Sequence, residues 1–224
     1  MKSVAYSQAY LIFHDDCHDF NYLCPMKPLA FLCIPALFVL TSWLPLPPRA
    51  AGPPVLTLQA SGGSGGTDIT AFVDGVEIIN ALSGLPAREP LSNASFEFPA
   101  HPTYGYAPTG GTWTFSASAG LAHNGSAFGS PAAPDGGQVA FLQTRGTDSG
   151  YLRQAIPSLP PGLYQVRLRV AQRACCSGTF DQGIRIWVDD VLLGTVVPDR
   201  DGQFHTYTSS SFSVSEPLGH RSRL

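Results

Sequence analysis

Residues 151–198, YLRQAIPSLPPGLYQVRLRVAQRACCSGTFDQGIRIWVDDVLLGTVVP, constrain the fold more than any other stretch. Tyr164, Val166, Leu168 and Val170 alternate with Gln165, Arg167 and Arg169. A period of two marks a strand with one face buried and one face wet. Ile184, Ile186 and Val188 repeat the pattern, Asp189-Asp190 supplies a turn, and residues 191–197 return. Aspartate between two apolar runs favours a tight hairpin, so this pair reads as a turn rather than a catalytic carboxylate pair.

The rest of the chain agrees with that reading. It carries 23 glycines, 20 prolines and only 13% charged residues. Glycine and proline break helices, and this balance favours short strands joined by turns. Further strand signals stand at Val55-Leu-Thr-Leu, Ala71-Phe-Val-Asp-Gly-Val-Glu-Ile, Trp113-Thr-Phe-Ser, Gln138-Val-Ala-Phe-Leu-Gln, Tyr151-Leu-Arg-Gln-Ala-Ile, Phe204-His-Thr-Tyr-Thr and Phe212-Ser-Val. Many short strands with turns between them predict an all-β, antiparallel β-sandwich. Trp113 and Trp187 fall in such strands and are expected in the core. The net charge of −3, with no basic patch, argues against a nucleic-acid partner.

The N-terminal part reads differently. Met26-Lys27 opens a second start, followed by an apolar run, prolines and Arg49-Ala50-Ala51-Gly52. This is the pattern of a secretory signal peptide over 26–51, and it implies a secreted or cell-surface location with no stable membrane span after cleavage. Residues 1–25 are then an untranslated or disordered extension, and the metal-like HDDCHDF within them is incidental. Of the five cysteines, only the adjacent Cys175 and Cys176 fall in the body, as a vicinal disulfide or two thiols. Residues 54–79 carry two strands, 80–92 form a linker, and 93–224 form the main domain.

The ordered motifs N-x-S-F-E from Asn93, W-T-F, N-G-S-A-F, P-D-G-x-Q-x-A-F-L-Q, L-P-P-G-x-Y-x-V and V-D-D-x-x-L-G carry a resemblance. The chain from Asn93 onward resembles the galactose-binding-like jelly-roll domains of secreted bacterial proteins, relatives of carbohydrate-binding modules. The resemblance implies a jelly roll, a carbohydrate or cell-surface polymer as partner, and a structural calcium. The matching calcium ligands would be Glu97 and Asp74, although Glu97 also reads as a plain edge-strand charge. Members of the family end on a strand resembling HTLRF, a glycine-rich loop and a strand resembling AFIDDV. Here Leu56-Thr-Leu-Gln-Ala-Ser and Ala71-Phe-Val-Asp-Gly-Val look like that ending, placed before the domain. Residues 54–79 are either the remnant of an earlier repeat or strands that close this domain as a circular permutation. They are expected to join the sandwich as edge or penultimate strands, with Phe72 buried and Asp74 near Glu97. The variant is completion of a neighbouring copy, a domain-swapped dimer.

Sugars are held by planar polar groups, with an aromatic ring against the apolar sugar face. Gln143, Arg145, Gln172, Arg173, Asp181 and Gln182 cluster around predicted strand ends, with Tyr104, Tyr106 and Phe180 available for stacking. The expected rim is the loop between Arg173 and Gln182. No nucleophile elbow, zinc-protease helix or phosphate loop is present. The expectation is a non-catalytic binding module. The alternatives are a structural or adhesive module without a small ligand and, more distantly, a polysaccharide-degrading enzyme.

Overall fold

The computed structural model describes residues 52–62, 69–88, 91–173 and 181–215. These lie in the unit Pro47–Leu224. The regular elements among them are strands: β1 Val55–Ser61, β2 Ile69–Asn80, β3 Tyr104–Tyr106, β4 Thr114–Phe115, β5 Ala119–His123, β6 Gln138–Arg145, β7 Asp148–Ser149, β8 Tyr151–Ala155, β9 Gly162–Gln172, β10 Gly183–Val188, β11 Val191–Val196, β12 His205–Thr208 and β13 Phe212–Val214.

They form two antiparallel sheets. The five-stranded sheet, here sheet A, runs β11-β10-β1-β8-β4. The eight-stranded sheet B runs β12-β9-β2-β6-β5-β3, with β13 also on β9 and β7 on β6. Leu56, Leu58, Ile184, Ile186 and Leu152 of sheet A pack against Val73, Val76, Val166, Leu168, Val170 and Leu142 of sheet B. This is a β-sandwich, and the alternation along β9 and β10 is the reason for it. Tyr164, Val166, Leu168 and Val170 are all buried, while Arg167 and Arg169 face outward.

β1 and β2 take interior places. β1 lies between β10 and β8, and β2 between β9 and β6. The expected edge or penultimate position is therefore corrected. β2 is apolar on both sides, with Val73, Val76 and Ile78 inward and Phe72 outward. A strand of that composition would lose burial on both faces at an edge.

Asp189 and Asp190 form the turn of the β10–β11 hairpin. Asp189 Oδ1 accepts from the Val55 amide at 2.9 Å, which anchors the turn to the start of β1. Trp113 is buried against Phe96, its indole N–H donating to the Asn93 carbonyl at 2.9 Å. Trp187 differs from expectation. Ile186 and Val188 point inward, so the residue between them lies on the outer face of sheet A, half-buried.

β2 contains one irregularity. Asp74 opposes Arg169 and Glu77 opposes Arg167, so β2 carries one extra residue there. Gly75 takes φ +56°, a left-handed conformation that glycine adopts without a Cβ penalty. The bulge reverses the phase of the strand. Val76 enters the core, and Glu77 emerges on the same side as Asp74.

Candidate functional site on the outer face of sheet B

Cross-strand partners share a face, which maps the outer side of sheet B directly. Tyr106 opposes Gly120, Gly120 opposes Phe141, Phe141 opposes Phe72, and Phe72 opposes Ala171. The residues 124–137 that join β5 to β6 cross this face. Phe128 from that loop lies 4.1 Å from Phe141 and 6.1 Å from Phe72, ring centre to ring centre. Phe72, Phe128, Phe141, Val139, Ala122 and Ala171 thus make a second apolar cluster on the side away from the inter-sheet core. Phe72 is buried as expected of it, but beneath this loop rather than between the sheets.

One hydrogen bond braces the loop internally, and two carboxylates tie it down. Asn124 Oδ1 accepts from the Ala133 amide at 2.8 Å. Asp74 Oδ2 accepts from the Asp135 amide at 2.9 Å. Glu97 Oε1 accepts from the amides of Gly137 and Gln138 at 3.0 and 3.1 Å. Asp74 and Glu97 therefore hold neighbouring residues of one segment. Burial pushes the Asp74 carboxyl up to about 7, opposed by the amides of Asp135 and Gly75 and reinforced by the Asp135 and Glu97 charges. Among the described residues, no group of three or more His, Cys, Asp or Glu is placed to hold a metal ion.

On one side of the loop, Tyr104 and Tyr106 stand on the edge strand β3, 41% and 38% exposed. The Tyr104 ring lies 4.9 Å from Phe128, and the Tyr106 ring lies 4.9 Å from Phe141 in a T-shaped contact. Gly120 permits that contact, because a Cβ there would overlap the Phe141 ring and the Gly105 carbonyl. The Tyr106 hydroxyl donates to Gln143 Oε1 at 2.7 Å, and Gln143 Nε2 donates to Thr70 Oγ1 at 2.7 Å. Gln143 is buried, so it fixes the tyrosine from behind. The exposed Arg145 guanidinium lies 5.7 Å from the Tyr106 ring centre.

The other expected ligand-binding residues are arranged differently. Arg173 is buried, its guanidinium 4.3 Å from the Phe128 ring centre in a cation–π contact. Gln182 is fully buried. Its Oε1 accepts from the Thr144 amide at 2.9 Å, and its Nε2 donates to the carbonyls of Ser61 at 2.7 Å and Gly183 at 3.1 Å. Its amide therefore joins the ends of β1, β6 and β10. Asp181 is exposed and paired with Arg200 at 2.7 Å. Phe180 lies outside the described residues, as do the adjacent cysteines and most of the expected rim. Tyr106, Gln143 and Arg173 thus share the outer face of sheet B, whereas Gln182 and Asp181 serve contacts of their own.

On the other side of the loop is an open groove of about 510 Å³, lined by Gly75, Glu77, Pro134, Asp135, Arg167, Leu168, Arg169 and Thr206. Sequence reasoning placed Arg167 and Arg169 on a wet face but did not join them to a site. Glu77 reaches the groove only through the phase reversal at Gly75, which the alternation does not announce. The P-D-G motif at Asp135 is the available signal for the loop residues that line it.

Comparison with protein-family models, curated proteins and solved structures gives no match. The likeness to galactose-binding-like jelly rolls thus rests on the sequence motifs alone.

Proposed function

We propose that this chain is a secreted, non-catalytic binding module whose ligand is a carbohydrate or another hydroxyl-rich surface polymer. The observation that carries the reading is the Tyr104–Tyr106 pair. Two residues apart on a strand are about 7 Å apart along it and point the same way. Both rings are half-exposed and are backed by Phe128 and Phe141. Aromatic rings held this way offer flat apolar area without a large loss of side-chain freedom on binding. The C–H face of a sugar ring would lie against them, and Arg145 beside Tyr106 would donate to its hydroxyls.

Affinity electrophoresis through gels carrying neutral polysaccharides such as β-glucan, xylan and galactomannan tests the reading. Retardation by at least one of them is expected, and Tyr104→Ala should abolish most of it. Unretarded migration in every gel would favour the structural or adhesive module instead.

A further inference from the structure

We infer that the groove between the β2 bulge and the 134–135 segment is a second ligand site, separate from the tyrosine pair, and that it takes a neutral sugar or polyol. Both signs of charge line it. Arg167 and Arg169 come from β9, Glu77 from β2 and Asp135 from the loop. Arg167 is already committed, since its Nε and Nη2 both meet Glu77 Oε2, at 2.8 and 2.6 Å. That pairing fixes Glu77 and leaves its Oε1 without a donor among the described residues. Arg169 is exposed and makes no hydrogen bond or ion pair among the described residues, so its guanidinium offers a fork of donors to the groove.

These groups select by exclusion. A phosphate, sulfate or carboxylate entering beside Arg169 would meet Glu77 and Asp135. An ammonium approaching those carboxylates would meet Arg169 and Arg167. An apolar ligand would strip water from Arg169 and Asp135 and return no hydrogen bond, which is costly. A hydroxyl both donates and accepts. Adjacent hydroxyls of a sugar can accept from Arg169 while donating to Glu77 Oε1 or Asp135, and the Thr206 hydroxyl can serve in either sense. The volume of about 510 Å³ lies within the range of small-molecule sites.

The test is a titration of the ¹⁵N-labelled full chain followed by amide chemical shifts. Galactose, glucose and mannitol are the neutral probes, with glucuronate and glucosamine as their charged counterparts. Saturable shifts are expected at Gly75, Asp135 and Thr206 with at least one neutral probe, and weaker ones with both charged probes. Arg169→Ala, at an exposed position, should lower the affinity roughly tenfold or more, as loss of a charge-assisted hydrogen bond implies. Thr206→Val should lower it as well. The inference is overturned if no neutral probe shifts these amides, if a charged probe binds more tightly, or if Arg169→Ala binds like the wild type. Shifts confined to Tyr104 and Tyr106 would remove the groove site and leave the proposed function standing. Groove shifts without retardation by any polysaccharide would do the reverse.

Discussion

Asp74 Oδ2 accepts the amide hydrogen of Asp135 at 2.9 Å, and this bond pins the loop over sheet B to the middle strand of the sheet. The other oxygen, Oδ1, accepts from Gly75 at 2.8 Å, so one carboxylate braces both the bulge and the loop. Gly75 and Asp135 both line the groove, so this one buried side chain supports two of its lining residues.

That burial gives Asp74 a signature in pH. Its carboxyl titrates near 7 in the folded chain and near 3.8 when exposed, so the folded state holds its proton more tightly. The resulting stability is fully present below about 3.8 and is lost as the pH rises through about 7. Thermal unfolding of the wild type and Asp74→Asn isolates the effect. The melting temperature of the wild type minus that of the variant should fall across this window and level off above it. A difference that is flat, or that rises with pH, contradicts the assignment.

Gln182 is expected to matter for stability and not for ligand binding. Gln182→Leu leaves the Thr144 amide and the Ser61 carbonyl without their partners. Each buried group left unpaired costs about 1–3 kcal/mol. Urea denaturation should show a lower midpoint with an unchanged slope, and retardation by polysaccharide should persist in the folded variant. An unchanged midpoint would mean that the amide network carries little energy.

How much of this was legible in the residues differs by feature. The period of two along residues 164–171 is strong because every inward position is apolar, and it led to the right fold class. The phase reversal in β2 was hidden, since one left-handed glycine is the whole signal for a bulge. Gln143 and Gln182 read as surface amides, because a chain does not reveal which of its polar groups will find backbone partners. Arg173 read as a rim residue for a related reason. It has the outward parity of Arg167 and Arg169, but Phe128, 45 positions earlier, covers it. Tyr104 and Tyr106 were visible as aromatics, whereas their support from Phe128 and Phe141 required the register of β3, β5 and β6.

Phe128 should act as the clasp of the loop. Its ring contacts Phe72, Phe141, Tyr104 and the Arg173 guanidinium. Phe128→Ala is expected to destabilise toward the lower end of the roughly 3–5 kcal/mol seen for buried phenylalanines, because the ring is buried on a loop and not between the sheets. Limited proteolysis should cut the variant within residues 124–137 well before the strands. Resistance equal to that of the wild type would show that the hydrogen bonds to Asn124, Asp74 and Glu97 suffice without the ring.

The most direct measurement of the binding face is hydrogen–deuterium exchange of the full chain with and without a retarding polysaccharide. Ligand-dependent protection is expected in β3 and residues 124–137, with the sheet A strands β10 and β11 exchanging as before. Protection confined to β10 and β11, or binding without protection at β3 and the loop, would contradict the assignment of the outer face of sheet B.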